Sequence, residues 1–251
     1  MTENLLDTLN AAADAVVAAL AGCRDWEPTG LKHGQFGFDL AADVAATAVL
    51  REGGLLVLSE ESGLEPGDGP VAVLDPVDGS TNASRGIRYF ATSICVVDEQ
   101  GPVAAVVHDH GSGERFEATR RGGARCDGEV LQPPGARPLS ECVVGVNGWP
   151  PGRGGWAQYR TLGAAALELC AVAAGRLDGY LDFSVSGLGS WDYLGALLVC
   201  TEAGVEVRDG LGRDLVVLDH GSRRAPVAAP PPLAEELLGV WESLSGPAAT
   251  G

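Results

Sequence analysis

Val73-Leu74-Asp75-Pro76-Val77-Asp78-Gly79-Ser80-Thr81-Asn82 is the stretch on which the reading of this chain turns. An apolar run of β-type residues, Val71 to Leu74, leads into two carboxylates three residues apart, with a proline stiffening the backbone between them. Carboxylates held so close repel one another unless a cation lies between them, and hard divalent cations prefer such oxygen ligands. The proline turns the Val77 carbonyl outward as a third oxygen. Gly79-Ser80-Thr81, at a helix start, offers backbone N–H groups to an anion. Taken alone, the fragment also reads as an Asp-Pro, Asp-Gly surface turn with a Ser/Thr helix cap.

Two other segments favour a site. Ser59-Glu60-Glu61-Ser62-Gly63 closes the preceding apolar run, Leu55 to Leu58, with two more acids. Glu60 stands first after the run, whereas Glu61 reads as part of a solvated turn. Strand ends are where open α/β sheets put their ligands. Downstream, Gly189-Ser190-Trp191-Asp192 opens a helix with Asp192 in its first turn, a place an aspartate often takes simply for the helix dipole.

Around these segments the apolar periodicity alternates between helix and strand. Leu5, Leu6, Leu9, Ala12, Ala13, Val16, Val17 and Leu20 follow helical spacing up to Gly22, and a second helical pattern runs from about Phe38 to Glu52. Residues 91–131 alternate between apolar and polar and are punctuated by turn residues, which predicts an antiparallel meander. Beyond Gln132-Pro133-Pro134-Gly135 the order becomes strand (142–146), helix (163–174), strand (178–181), helix (192–203), strand (205–207), strand (225–228) and helix (233–244), with 245–251 as a frayed tail. The expectation is an α/β chain in two layered halves, 1–135 carrying the acidic motifs and 136–251 supplying Asp192 and a substrate pocket.

Composition narrows the function. Over 251 residues, 17 basic side chains stand against 34 acidic ones, a formal charge of −17. Such a field disfavours nucleic acid and anionic lipid but is compatible with a site that collects divalent cations. Lys32 is the only lysine. The six cysteines (Cys23, Cys95, Cys126, Cys142, Cys170, Cys200) form no C-x-x-C pair and read as free thiols of a reducing compartment. Met1-Thr2-Glu3-Asn4 lacks the basic start of a signal peptide, and Asp14 interrupts the apolar stretch behind it, so a soluble cytoplasmic protein is expected, with no membrane partner. His33, His108, His110 and His220 show no ligand spacing and read as surface residues.

The acidic strand end at 58–62, the Asp-Pro-Val-Asp-Gly-Ser-Thr-Asn block at 75–82, and Trp191-Asp192 with Thr201-Glu202-Ala203-Gly204 together resemble the inositol monophosphatase family of magnesium-dependent, lithium-sensitive phosphomonoesterases. Phe38-Asp39-Leu40-Ala41-Ala42-Asp43, residues 122–128 and Ser222-Arg223-Arg224 extend the resemblance over nearly the whole chain. It implies a layered α-β-α-β-α sandwich of the inositol monophosphatase and sugar phosphatase type, and a homodimer. It also implies two or three Mg2+ ions, with inhibition by Li+. Glu60, Asp75 and the Val77 carbonyl would hold the first ion, and Asp75, Asp78 and Asp192 the second; Glu60 would share a third. Ser80, where the family often has threonine, would act with Glu60 on the attacking water, and Asp43 would support the water network. Backbone amides of Gly79 and Ser80 would hold the phosphate, and Asp78, Gly163, Ala164, Ala165 and Asp182 the rest of the substrate.

The chain departs from the family pattern at Ser59, Ala83, Leu194 and Val205, none of them an implied metal ligand. Ala83, Ser84, Arg85 and Arg88 are expected at the pocket mouth. The implied function is hydrolysis of a small polyol phosphate monoester, inositol monophosphate or a related sugar phosphate. Histidinol phosphate, fructose 1,6-bisphosphate and 3′-phosphoadenosine 5′-phosphate are the alternative substrates, and a non-enzymatic metal-binding or interaction protein the alternative class.

Overall fold

The strand Val71–Asp78, third in the chain (β3), is buried along its whole length, so both faces of its sheet are covered. Its side chains divide by parity: Val71 and Val73 enter one apolar core, Ala72 and Leu74 another. The neighbouring strands β4 (Ala91–Asp98) and β5 (Gly101–Asp109) repeat the division, with Ile94, Val96, Ala104 and Val106 on one side and Cys95, Val97, Ala105 and Val107 on the other. The period of two thus builds two cores from one sheet. The computed structural model describes residues 2–24, 26–30, 35–132, 135–184 and 186–246; Lys32, His33, Pro133, Pro134 and the tail from 247 lie outside the described residues.

The larger sheet has the order β2-β1-β3-β4-β5-β6-β7-β8, adding β1 (Leu56–Ser59), β2 (Gly63–Leu64), β6 (Arg115–Thr119), β7 (Gly123–Cys126) and β8 (Glu129–Val130). β1 pairs parallel to β3, and the remaining pairs are antiparallel, including the meander from β4 to β8. A smaller sheet, β10-β9-β11-β13-β12, is formed by β9 (Val143–Gly148), β10 (Gln158–Arg160), β11 (Gly179–Phe183), β12 (Glu206–Asp209) and β13 (Pro226–Ala229).

Helices fill the layers. α1 (Thr2–Gly22) and α2 (Gly37–Glu52) cover the outer face of the larger sheet through Leu9, Ala12, Val16, Phe38, Ala42 and Leu50. By length and composition α1 could cross a membrane, with a mean hydropathy of 1.4 over Asn4–Gly22. Its apolar stripe is instead buried in this core. α4 (Ala165–Ala173) and α5 (Ser190–Glu202) lie between the sheets and share one core with both, from Val73 and Val107 on one side to Tyr180 and Ala228 on the other. α6 (Leu233–Ser245) closes the far face against Val144, Leu181, Val227 and Ala229, with Leu237 and Trp241. The result is the expected α-β-α-β-α sandwich. All six cysteines are free, four of them buried.

Two details differ from the sequence reading. β3 does not end at Leu74 but runs on to Asp78, because β4 continues to pair with it across a register shift between Asp75 and Asp78. Pro76 sits inside that shift, where its missing N–H removes no regular ladder bond. Ala83 is not at a pocket mouth: only 5% exposed, it packs in the outer core, while Arg85 and Arg88 are exposed. Leu194, where a small residue is usual, is fully buried on α5, so the departure is a packing choice of the central layer. Leu194→Ala is therefore expected to lower stability by about 2–5 kcal/mol. Urea unfolding would measure this, and a change under about 1 kcal/mol would contradict the packing assigned here.

Candidate active site

The C-terminal ends of the parallel strands β1 and β3 meet the N-termini of α2, α4, α5 and a short helix, α3 (Ser80–Ser84). Each element brings one polar group. Asp75 and Asp78 come from β3, Glu60 follows β1, and Asp192 and Asp39 occupy the first turns of α5 and α2. Glu60, Asp75, Val77, Asp78, Gly79, Ser80, Gly163 and Asp192 line one cavity of about 250 Å3, together with Gln35, Glu61 and Thr81.

The backbone holds these acids in place. Asp192 accepts the Gly189 N–H at 2.6 Å, closing the first turn of α5. Asp78 accepts the Ala166 N–H at 2.7 Å, so the N-terminus of α4 presents its amides to a carboxylate on the opposite sheet. Asp75 accepts the Val77 N–H at 3.0 Å across the proline. Gly79, in the left-handed region at φ 89°, lets the chain turn from β3 into α3. A Cβ there would sit 3.0 Å from Gly163 O and 3.2 Å from both the Ala164 Cβ and Tyr89 O. Asn82 ties this seam by donating to Tyr89 O at 2.8 Å and Leu162 O at 2.7 Å.

Oxygens of Asp75, Asp78 and Asp192 lie within 4.8 Å of one another. Among the described residues no basic side chain lines the cavity. Burial first, then the charges of Glu60, Asp78 and Asp192, raise the Asp75 pKa well above the usual aspartate range. Burial also pushes Asp78 up to about 8 against the pull of the Ala166 N–H, and Asp192 up to about 8 with Asp78 adding to the effect. Three converging, desolvated carboxylates with the Val77 carbonyl beside them form an all-oxygen donor set that fits a hard divalent cation.

Ser80 stands at the edge of this cluster. Its hydroxyl lies 2.7 Å from Val77 O and 2.9 Å from Asp39 Oδ1. Asp39 also accepts the Phe36 N–H at 2.8 Å, and burial brings its pKa up to about 7 despite both hydrogen bonds. The acid at the hydroxyl is thus Asp39, which the sequence reading assigned no role. Asp43 lies one turn further along α2, where its carboxylate accepts hydrogen bonds from Ser59 and Ser62. The reading of Asp182 is corrected. It is fully buried on β11, not in the cavity wall, and accepts from Ser184 N at 2.7 Å and Asn147 Nδ2 at 3.2 Å. Ala164 and Ala165 stand behind the wall, the first against Gly79 and the second giving its N–H to Asp78.

Glu61, read as a solvated turn, lines the cavity and accepts from Gln35 Nε2, a contact between distant segments that no local pattern announces. Glu168 was also missed; burial raises its pKa to about 8, and it accepts the Leu162 N–H at 3.3 Å and the Gly163 N–H, holding the loop before α4. Nor are the three described histidines plain surface residues: His108 is 8% exposed, His110 is half-buried, and His220 packs 4.7 Å from the Trp191 ring.

The model of the Inositol monophosphatase family matches residues 46–244. The chain belongs to this family. It is 36% identical over 166 residues to an inositol-1-monophosphatase of Mesorhizobium japonicum, covering 60% of each chain. It is also 36% identical over 173 residues to Nus factor SuhB of Escherichia coli, covering 62% of this chain and 63% of that one. The matches therefore span about three fifths of these two curated relatives. A Pyrococcus horikoshii protein described as having similarities to inositol-1 monophosphatase superposes with a TM-score of 0.79 at 25% identity, covering 96% of both chains.

Raised carboxylate pKa values have a stability consequence. Between about pH 4 and 8 the folded, metal-free site binds more protons than the unfolded chain, so its contribution to stability falls as pH rises through that window. In chelator, wild type should lose melting temperature from pH 5 to pH 8 more steeply than Asp75→Asn, which relieves the repulsion. Magnesium at constant ionic strength should stabilise wild type by mass action and leave Asp75→Asn nearly unmoved. Equal pH slopes for the two proteins, or identical wild-type melting with magnesium and chelator, would contradict the assignment.

Proposed function

We propose that this chain is a magnesium-dependent phosphatase that hydrolyses a small polyol phosphate monoester, inositol monophosphate or a related sugar phosphate. The observation that carries the reading is the Ser80 hydroxyl, held between Asp39 and Val77 O at the rim of a buried carboxylate cluster. When bound, two or three magnesium ions would supply positive charge that none of the described residues brings to the cavity wall, neutralising phosphate and acidifying water. Glu60, Asp75, Asp78, Asp192 and the Val77 carbonyl are the groups that would hold them.

The remaining work falls to side chains and amides. Ser80 orients the attacking water, and Asp39, with a pKa near 7, can take a proton from the Ser80 hydroxyl at neutral pH and return it. The amides of Gly79 and Ser80 face the phosphate. The small α4 entrance at Gly163, with Asp78 fixed by Ala166 N–H, presents a wall against which substrate hydroxyls pack. A cavity of about 250 Å3, below the roughly 300–1,000 Å3 of drug-sized sites, favours a compact monoester over a nucleotide or bisphosphate. Lithium inhibition and a homodimer belong to the same proposal. SuhB relatives carry the name of a transcription factor, so an interaction role is the competing class. The full set of site groups argues against a site retained only as scaffold.

Turnover of a panel of sugar, inositol, nucleotide and amino-alcohol phosphates with magnesium tests the reading directly. Ser80→Ala and Asp39→Asn should each lower kcat by about a hundredfold or more, the usual size of a positioned acid–base contribution. Asp43→Asn, which can still accept from Ser59, should remain within a fewfold of wild type. Near-normal turnover in Ser80→Ala, or a larger loss at Asp43 than at Asp39, would overturn the assigned roles.

A further inference from the structure

The register shift in β3 is braced from behind. Asp75 pairs with Ser93 and Asp78 with Ala91, so Pro76 and Val77 together stand opposite the single residue Thr92 of β4. Two residues facing one is a bulge, and its backbone groups need partners outside the regular ladder. Pro76 is buried, and its carbonyl accepts from the Thr92 hydroxyl at 2.9 Å. Successive carbonyls of an extended chain point to opposite sides. With Pro76 O turned to Thr92, Val77 O turns the other way, to the Ser80 hydroxyl at 2.7 Å in the cavity wall.

Thr92 is itself held. It is fully buried, and its Oγ1 lies 2.8 Å from His110 Nε2. A hydroxyl carries one proton. That proton goes to Pro76 O, so the ring Nε2–H donates to the hydroxyl lone pair. His110 is fixed by its N–H to Phe90 O at 3.1 Å, by stacking on the Phe90 ring at 5.2 Å and by the edge of His108 at 4.9 Å. Burial, then His108 and Arg115, lower its pKa to about 3, so the ring is neutral and has a single N–H to give.

We propose that Thr92, oriented by His110, is a positioning residue that fixes the Pro76–Val77 bulge and thereby aims the Val77 carbonyl and the flanking carboxylates of Asp75 and Asp78 at a bound cation. Neither residue touches the cavity. The relay His110–Thr92–Pro76 reaches it only through the backbone, and the inference rests on the metal-site reading above.

Calorimetric titration of metal-stripped protein with magnesium tests it, alongside kcat and KM. Thr92→Val keeps the shape and removes the hydroxyl, leaving Pro76 O buried without a donor; magnesium affinity should fall about tenfold and kcat with it, while KM moves little. Thr92→Ser should restore affinity to within about twofold. His110→Phe keeps the stack on Phe90 but removes the donor, and should cost about threefold. The double variant Thr92→Val/His110→Phe should bind no more weakly than Thr92→Val alone, because His110 acts only through Thr92. Should Thr92→Val fail to fold, the Thr92→Ser and His110→Phe titrations still decide the matter: unchanged affinity in His110→Phe would overturn the relay. Wild-type affinity in a folded Thr92→Val, or losses that simply add in the double variant, would also overturn it. Absence of any magnesium binding to wild type is a separate result, which overturns the metal reading and the relay with it.

Discussion

Three aspartates forced into one another's field are the constraint to which the rest of this fold answers. Asp75 and Asp78 are buried and Asp192 is half-buried, with no basic side chain in the cavity wall among the described residues. An isolated buried carboxylate is costly, and several together more so. The chain meets the cost with backbone N–H groups: Gly189 on Asp192, Ala166 on Asp78, Val77 on Asp75 and Phe36 on Asp39. Such amides stabilise negative charge without cancelling it, which is why the acids stay poised to bind a cation instead of pairing off with arginines. Several arginines pair with acids elsewhere, Arg176 with Glu114, Arg120 with Asp98 and Arg213 with Asp209, while Arg223, stacked on Trp191, acts on Asp192 only through its field.

That arrangement depends on the central helical layer. α5 delivers Asp192 and α4 the amide that holds Asp78, and both helices are clamped between two sheets. From Tyr193 to Cys200 α5 is buried all round and its residues are small or apolar, and Gly195 lets it approach the strand beneath: a Cβ there would lie 2.6 Å from Ser93 Oγ. The site thus sits at a seam between rigid elements, where small displacements of one layer would separate ligands that belong to different ones.

How much of this could be read from the residues follows from the range of each interaction. The apolar periods marked every long helix and strand, because burial on one or two faces is a local statement repeated along the chain. β2 and β10, at two and three residues, carry too few positions to show a period. The candidate site was legible mainly because the oxygens of Asp75, Val77, Asp78 and Ser80 are contiguous in sequence, whereas Glu60 and Asp192 come from other elements. The role of Asp39 was not legible because Asp39 and Asp43 lie on the same side of α2, and only the approach of α3 decides which of them meets Ser80. Asp182 misled for a similar reason: its parity on β11, shared with Tyr180, turns it into the packed layer between the sheets instead of the cavity. The bond from Thr92 to Pro76 joins residues 16 apart that no pattern links.

The net charge takes on a different meaning once the cavity is seen. A chain of −17 would repel a phosphate monoester approaching from solvent, and the cavity itself holds five acidic residues in its wall, Glu60, Glu61, Asp75, Asp78 and Asp192. Among the described residues no basic side chain in that wall offsets this charge, so an anion is repelled by it. The same field concentrates divalent cations, and each ion bound reverses the local sign seen by the next arrival. On the function proposed above, the electrostatics would impose an order: cation first, phosphate second. Arg85 and Arg88, exposed just beyond α3, are the basic side chains nearest in sequence to the motif, and they lie outside the cavity wall. They can bias the approach of an anion, but among the described residues no basic side chain lines the cavity itself, so on the reading proposed above the attraction within it would come from bound ions held by the carboxylates.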